Sequence, residues 1–272
     1  MTVFETPGKV HVRVALGGGD VRVDTAQEPR TEVELVALRD DDATHAAIAE
    51  ATVEARDRGD RTEVVVELPR KGGWSGFLGR GPSVGVRVRC PEETELEVGV
   101  ASADVTATGR LGDVDVKTAS GDVSVEVVGE LRAATASGDV KAREVRREGN
   151  VKTASGDVNV RLAQAALSLN LASGDAFVTE AKGPLSIATV SGDQEIGSVE
   201  AGQIKLQSVS GDVRVGVRPG LRVWIDATSV SGSMMSELAM GDEPSEGEAQ
   251  VELRARTVSG DVRIVPATLL AV

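Results

Sequence analysis

The chain has 272 residues and a net charge of −13, which disfavours nucleic acid and anionic lipid as partners, since both are polyanions. The aromatic residues are Phe4, Trp74, Phe77, Phe177 and Trp224, and Tyr is absent, so the core must be built from Val, Leu, Ile and Ala. Cys90 is the single cysteine, which excludes an intramolecular disulfide; at a strand end it reads as an inert thiol.

The opening residues, Met1 to Lys9, hold no basic region followed by an apolar run, so they do not read as a secretory signal. No stretch approaches the ~20 apolar residues of a membrane-spanning helix. As given, the chain reads as cytoplasmic. Val10, Val12 and Val14 alternate with polar residues, Gly17 to Asp20 make a turn, and Val21 and Val23 alternate again. Glu32 to Leu38, Glu63 to Leu68, Val84 to Arg89 and Thr94 to Val98 also predict strands. One helix is predicted from about Ala43 to Ala55, with Asp41 and Asp42 at its positive end and Gly59 beyond it. Ala47, Ile48, Ala51 and Ala55 form its apolar stripe. Residues 1–100 therefore read as an N-terminal cap of strands, one helix and irregular coils.

Inside that cap, residues 70–82 are basic and glycine-rich. Arg70, Lys71, Trp74, Phe77, Leu78 and Arg80 are the candidate partner-binding residues, because Trp and Arg are common binding anchors. The alternative is that Trp74 and Phe77 tuck onto the cap. The run is not a phosphate loop, since it lacks a closing Gly-Lys-Ser/Thr and a following helix.

From residue 101 to 272 a repeat takes over. Ser-Gly-Asp occurs as Ser120-Gly121-Asp122, Ser137-Gly138-Asp139, Ser155-Gly156-Asp157, Ser173-Gly174-Asp175, Ser191-Gly192-Asp193, Ser210-Gly211-Asp212 and Ser259-Gly260-Asp261. Degraded copies stand at Ser102-Ala103-Asp104 and Ser231-Gly232-Ser233. The steps are 18, 17, 18, 18, 18, 19, 21 and 28 residues. Val151, Thr153 and Ser155 alternate before one turn, and Val158 and Val160 alternate after it, so each unit holds two short strands. Identical residues at identical places favour a solenoid in which each unit stacks on a copy of itself, over a meander of hairpins. The prediction is all-β: a single-stranded parallel β-solenoid with ~18-residue coils.

Gly supplies the corner, and Asp is expected to accept backbone N–H bonds within its own turn. Alternation points the Ser hydroxyl inward. Stacked carboxylates ~5 Å apart in water repel by ~0.8 kcal/mol, and a charged hydrogen bond contributes ~1.5–3 kcal/mol. The bond outweighs the repulsion, so no cation is required and no metal or cofactor is assigned. Calcium on the column is the alternative. Ala119, Ala136, Ala154, Ala172, Val190, Val209, Val230 and Val258 form a second column, pointing outward. Either neighbouring side chains cover it or it is a contact surface for a partner or a second copy.

Ser233 to Gln250 interrupts the repeat with an acidic excursion before a final coil, Val251 to Ile264. The apolar tail 267–272 either closes that end or joins two chains. No reactive cluster supports catalysis. His11 and His45 lie apart, and the repeated Ser singles out no nucleophile.

The Thr-Ala-Ser-Gly-Asp-Val units at Thr118, Thr135 and Thr153, the Val86-to-Pro91 stretch and the closing Arg256-to-Val262 segment resemble the bacterial putative-adhesin β-strand-repeat family (domain of unknown function 4097). The resemblance covers nearly the whole chain. It implies a parallel β-solenoid without catalytic residues, with members near envelope-stress systems. The expected function is a non-enzymatic scaffold for an unidentified protein partner, at the cytoplasmic face of the envelope. A self-assembling solenoid of the bactofilin type and a surface adhesin are the alternatives. Homo-oligomerisation would use the Ala/Val column or the C-terminal end.

Overall fold

The computed structural model describes residues 1–69, 81–238 and 250–267. The chain divides into two compact units, Met1–Gly138 and Asp139–Val272, and the expected parallel β-solenoid is present in each. Among the described residues, no helix is long and apolar enough to cross a membrane.

Unit 1 contains β1 (Thr2–Glu5), β2 (Val10–Ala26), β3 (Arg30–Ala37), α1 (Asp42–Ala49), β4 (Thr52–Asp57), β5 (Thr62–Glu67), β6 (Val84–Pro91), β7 (Glu95–Arg110), β8 (Val114–Ser120), β9 (Val123–Val128) and β10 (Leu131–Ser137). Two long strands, β2 and β7, each bend to serve both sides of the coil. The first half of β2 lies between β5 and the start of β7; its second half lies between β6 and the end of β7, all parallel. β7 then continues onto β8 and β9, and β8 onto β10. The outermost strands reverse direction: β4 runs antiparallel to β5, β3 to β6, and β1 to β3. Thr6 and Thr31, both fully buried, share a hydroxyl hydrogen bond of 3.0 Å where β1 leaves the sheet.

The helix is shorter than its apolar stripe predicts. Asp41 caps it through the Thr44 N–H at 2.7 Å, which holds the Asp41 carboxyl below its usual range. It ends at Ala49, and Thr52 to Asp57 form β4 instead. β-branched Thr52 and Val53 suit a strand, and pairing with β5 overrides the helical spacing of Ala51 and Ala55. Thr44 and Ala47 are its buried residues.

Unit 2 is made of two-strand coils: β11 (Val140–Val145), β12 (Gly149–Ser155), β13 (Val158–Ala163), β14 (Leu167–Ser173), β15 (Ala176–Ala181), β16 (Leu185–Ser191), β17 (Gln194–Val199), β18 (Gly202–Ser210), β19 (Val213–Val217), β20 (Val223–Ser231), β21 (Met234–Ser236), β22 (Val251–Ser259) and β23 (Val262–Pro266). One side stacks β12, β14, β16 and β18 in parallel register, so Val151, Leu169, Ile187 and Leu206 form one buried column. The other side stacks β11, β13, β15, β17 and β19. Gln194 takes an inward place there. It is buried, donating to Thr189 Oγ1 at 2.9 Å and to the Gln207 carbonyl at 2.8 Å.

Chain order and spatial order part at the end of unit 2. β22 pairs with β18 on one side and β20 on the other, and β23 lies between β19 and β21. The coil 251–264, expected to be last, is therefore inserted, and the earlier β20–β21 coil is outermost. The insertion coincides with the longest step of the series, 28 residues from Ser231 to Ser259.

Candidate interaction surface

Each Ser-Gly-Asp corner is shaped by its glycine. Gly156, Gly174, Gly192, Gly211 and Gly260 have φ between 121 and 146°, a region that side-chain-bearing residues resist. A Cβ at Gly174 would also run into the carbonyl oxygen of Gly156, one coil away. Backbone bonds tie corner to corner: Gly174 N–H reaches the Ser191 carbonyl at 3.1 Å, and Gly192 N–H reaches Ser210 at 3.0 Å.

The expected inward Ser is corrected. Ser120, Ser137, Ser155, Ser173, Ser191, Ser210 and Ser259 are all exposed, and Thr118, Thr135, Thr153, Thr189 and Thr257 are the last buried residues before the corner. The chain bends at Ser, so the two-residue alternation stops one position earlier than sequence spacing suggests.

The Asp bonding is corrected too. Along the ladder a carboxylate accepts from the backbone N–H at the matching corner position of the adjacent coil. Asp157 N–H donates to Asp139 at 3.0 Å, Asp175 to Asp157 at 2.8 Å, Asp193 to Asp175 at 2.7 Å and Asp212 to Asp193 at 2.8 Å. The ladder then follows space, not sequence: Asp261 N–H donates to Asp212, and Ser233 N–H to Asp261, both at 2.8 Å. That last bond holds the Asp261 carboxyl below its usual range. In unit 1, Asp122 N–H donates to Asp104 at 3.0 Å. A charge-assisted bond at each rung joins neighbouring coils directly, against a screened repulsion that is smaller (~0.8 kcal/mol at ~5 Å in water). Among the described residues, no three His, Cys, Asp or Glu side chains converge as metal ligands.

Beside this ladder runs the outward apolar column. Ala154 and Ala172 are exposed in unit 2, as are Val190 at 57%, Val209 at 50%, Val258 at 50% and Val230 at 81%. Strand register places them one above another in the spatial order 154, 172, 190, 209, 258, 230. Ala119 and Ala136 are exposed in unit 1. Side chains of neighbouring columns do not cover it, so it is an open apolar stripe rising from methyl to isopropyl groups along unit 2.

The other sequence-derived candidates, Arg70, Lys71, Trp74, Phe77, Leu78 and Arg80, lie outside the described residues. Cys90 is buried, and burial pushes its thiol up to about 11, as suits a thiol with no reactive role. Sequence reasoning missed one corner. Gly18, Gly19 and Asp20 stand in register with Ser102, Ala103 and Asp104, so Gly17 to Asp20 is a bend within β2 and not a chain reversal. The signal was present, because Gly19-Asp20-Val21-Arg22-Val23 is the Gly-Asp-Val-x-Val string that also follows Ser120, Ser155 and Ser210.

A family model described as Toastrack DUF4097 matches residues 21–265. No curated protein matches the chain. Among solved structures, a "putative adhesin" from Bacteroides fragilis NCTC 9343 is similar with a TM-score of 0.51 at 10% identity, over 97% of this chain and 95% of that one. A "putative lipid binding protein" from Parabacteroides distasonis ATCC 8503 has a TM-score of 0.46 at 14% identity, over 97% and 95%. A "putative cell adhesion protein" from Clostridium sporogenes ATCC 15579 has a TM-score of 0.31 at 10% identity, over 96% and 93%. At such identities a likeness speaks to the fold alone, and of these three it is the first that does so.

Proposed function

The chain belongs to the Toastrack DUF4097 family, and from that premise we propose that it is a non-enzymatic scaffold whose outward apolar column holds a protein partner. The observation that carries this reading is the exposure of Val190, Val209, Val258 and Val230 in one continuous line. A contiguous apolar stripe left in water costs free energy that a bound partner recovers. The flanking Asp ladder keeps the stripe straight, since each coil is pinned to the next at the corner beside it. A rigid, evenly spaced row of this kind suits an extended segment laid along the coils, with one contact per rung.

The test replaces Val190 and Val209 together by Glu. These side chains face solvent, so the melting temperature should hold while cross-linking to the partner in cells is lost. Retained cross-linking with an unchanged fold would overturn the reading. Fractionation of the same cells checks the proposed location at the cytoplasmic face of the envelope.

A further inference from the structure

The outermost coil of unit 2 is built like an interior coil but has a neighbour on one side only. Among the described residues, β20 pairs with β22 and β21 with β23, and nothing pairs with their far edges. Its inward residues are not buried: Ile225 is 37% exposed and Met234 55%, whereas Leu253 and Val262, the residues beside them one coil in, are 0% and 1% exposed. Its outward face carries Trp224 at 46% and Val230 at 81%. Open strand edges with apolar side chains on both faces are templates for pairing with another strand.

We propose that this coil is a self-association surface, through which two copies of the chain pair β20 against β20, antiparallel, about a two-fold axis at Ala227. The strand's own pattern selects that register. Directly opposed residues of an antiparallel pair face the same side of the sheet. Centring on Ala227 places Trp224 opposite Val230 of the second copy, Ile225 opposite Ser229, and Asp226 opposite Thr228. Centring on Asp226 opposes that carboxylate to its own copy, which is unfavourable. Centring on Thr228 sets Asp226 against Val230 and leaves Trp224 beyond the strand. In the selected register Trp224, already stacked under the Arg254 guanidinium at 5.4 Å, gains an apolar partner, and Asp226 keeps Arg256 at 3.7 Å. The contact is isologous, so it closes at two copies. Growth into a filament would need the outermost strands of unit 1 to accept β20. β4 offers Glu54, Arg56 and Asp57 at its edge, which opposes such pairing. This surface shares Val230 with the outward column, but it rests on the open edge of β20 and stands without the scaffold reading.

The experiment is sedimentation of the full chain across a dilution series, with Val230→Asp as the first variant. The wild type should pass from monomer to dimer and stop there. Val230→Asp should weaken the dimer on the order of tenfold or more without changing the melting temperature of the dilute protein. Ala227→Cys should cross-link to its own copy under oxidised glutathione, because opposed Cα atoms ~4.5–5.5 Å apart suit a disulfide and the natural Cys90 is buried. Asp226→Cys mixed with Thr228→Cys should cross-link, while neither should do so alone. A wild type that stays monomeric, growth beyond the dimer, an unweakened Val230→Asp dimer, or cross-linking in another register would each overturn the proposal.

Discussion

The outermost strands of the two units are finished in opposite ways. In unit 1, β3 and β4 run against the parallel coils and β1 runs against β3, charged side chains occupy the β4 edge, and α1 packs on β3 and β6. In unit 2, β20 and β21 keep the direction and register of the coils beneath them, with Ser233 in place of the corner Asp, and leave Ile225 and Met234 in water. Repeat chemistry builds a coil that is ready to receive another, and carries no instruction to stop. Stopping takes a different kind of sequence, which unit 1 has and the described part of unit 2 lacks.

The sharpest way to break that contrast is at an interior corner. Gly174→Val meets both a φ of 121° and the Gly156 carbonyl, so it should destabilise by more than about 3 kcal/mol. Urea unfolding would show it, and a wild-type midpoint would mean the corners are not what joins the coils. Next comes a matched pair of core truncations. Ile187→Ala, at a fully buried rung, should cost about 2–5 kcal/mol. Ile225→Ala, on the outermost coil, should cost under about 1 kcal/mol, as partly exposed residues do. Equal losses would mean that β20 is covered. In unit 1, Thr31→Val strands the buried Thr6 hydroxyl and should cost about 1–3 kcal/mol, with hydrogen exchange rising first in β1. Unchanged exchange would show that this bond does not secure the closing strand.

The smallest effect is electrostatic. Burial, and then the neighbouring Glu200, push the Glu180 carboxyl above its ordinary 4.5. A carboxyl raised in the folded state contributes stability that is present below its unfolded value and fades as pH climbs through the folded one. Glu180→Gln should therefore flatten the stability profile just above pH 4.5 and leave the neutral protein slightly more stable. A steeper profile would reverse the sign of the argument.

The period near 18 made the parallel solenoid legible, because a repeated turn with alternating Val on both sides has few other solutions. Inward and outward positions along β12 to β19 were equally legible, down to the exposed Val190 and Val209. What escaped was local. Alternation alone does not say where a strand bends, so Ser was placed inside when Thr is the last inward residue. A helical spacing of alanines concealed β4, whose pairing with β5 is a tertiary fact. The side-chain bonds of Asp run between coils, a direction that a single unit read alone does not contain. The insertion of β22 left its trace only as an overlong step, 28 residues where 18 is usual.

That insertion reaches into biosynthesis. A ribosome delivers β20 before β22, yet β20 has no sheet neighbour among the described strands until β22 arrives. While the nascent chain waits, the column ending at Ile204 and Leu206 has nothing stacked on it, and β20 with its Trp224 hangs beside an empty slot. One later segment then locks two coils at once, as a keystone locks both halves of an arch. A chain ending before Val251 would lose both β22 and β23, leaving an unfilled berth the width of a whole two-strand coil.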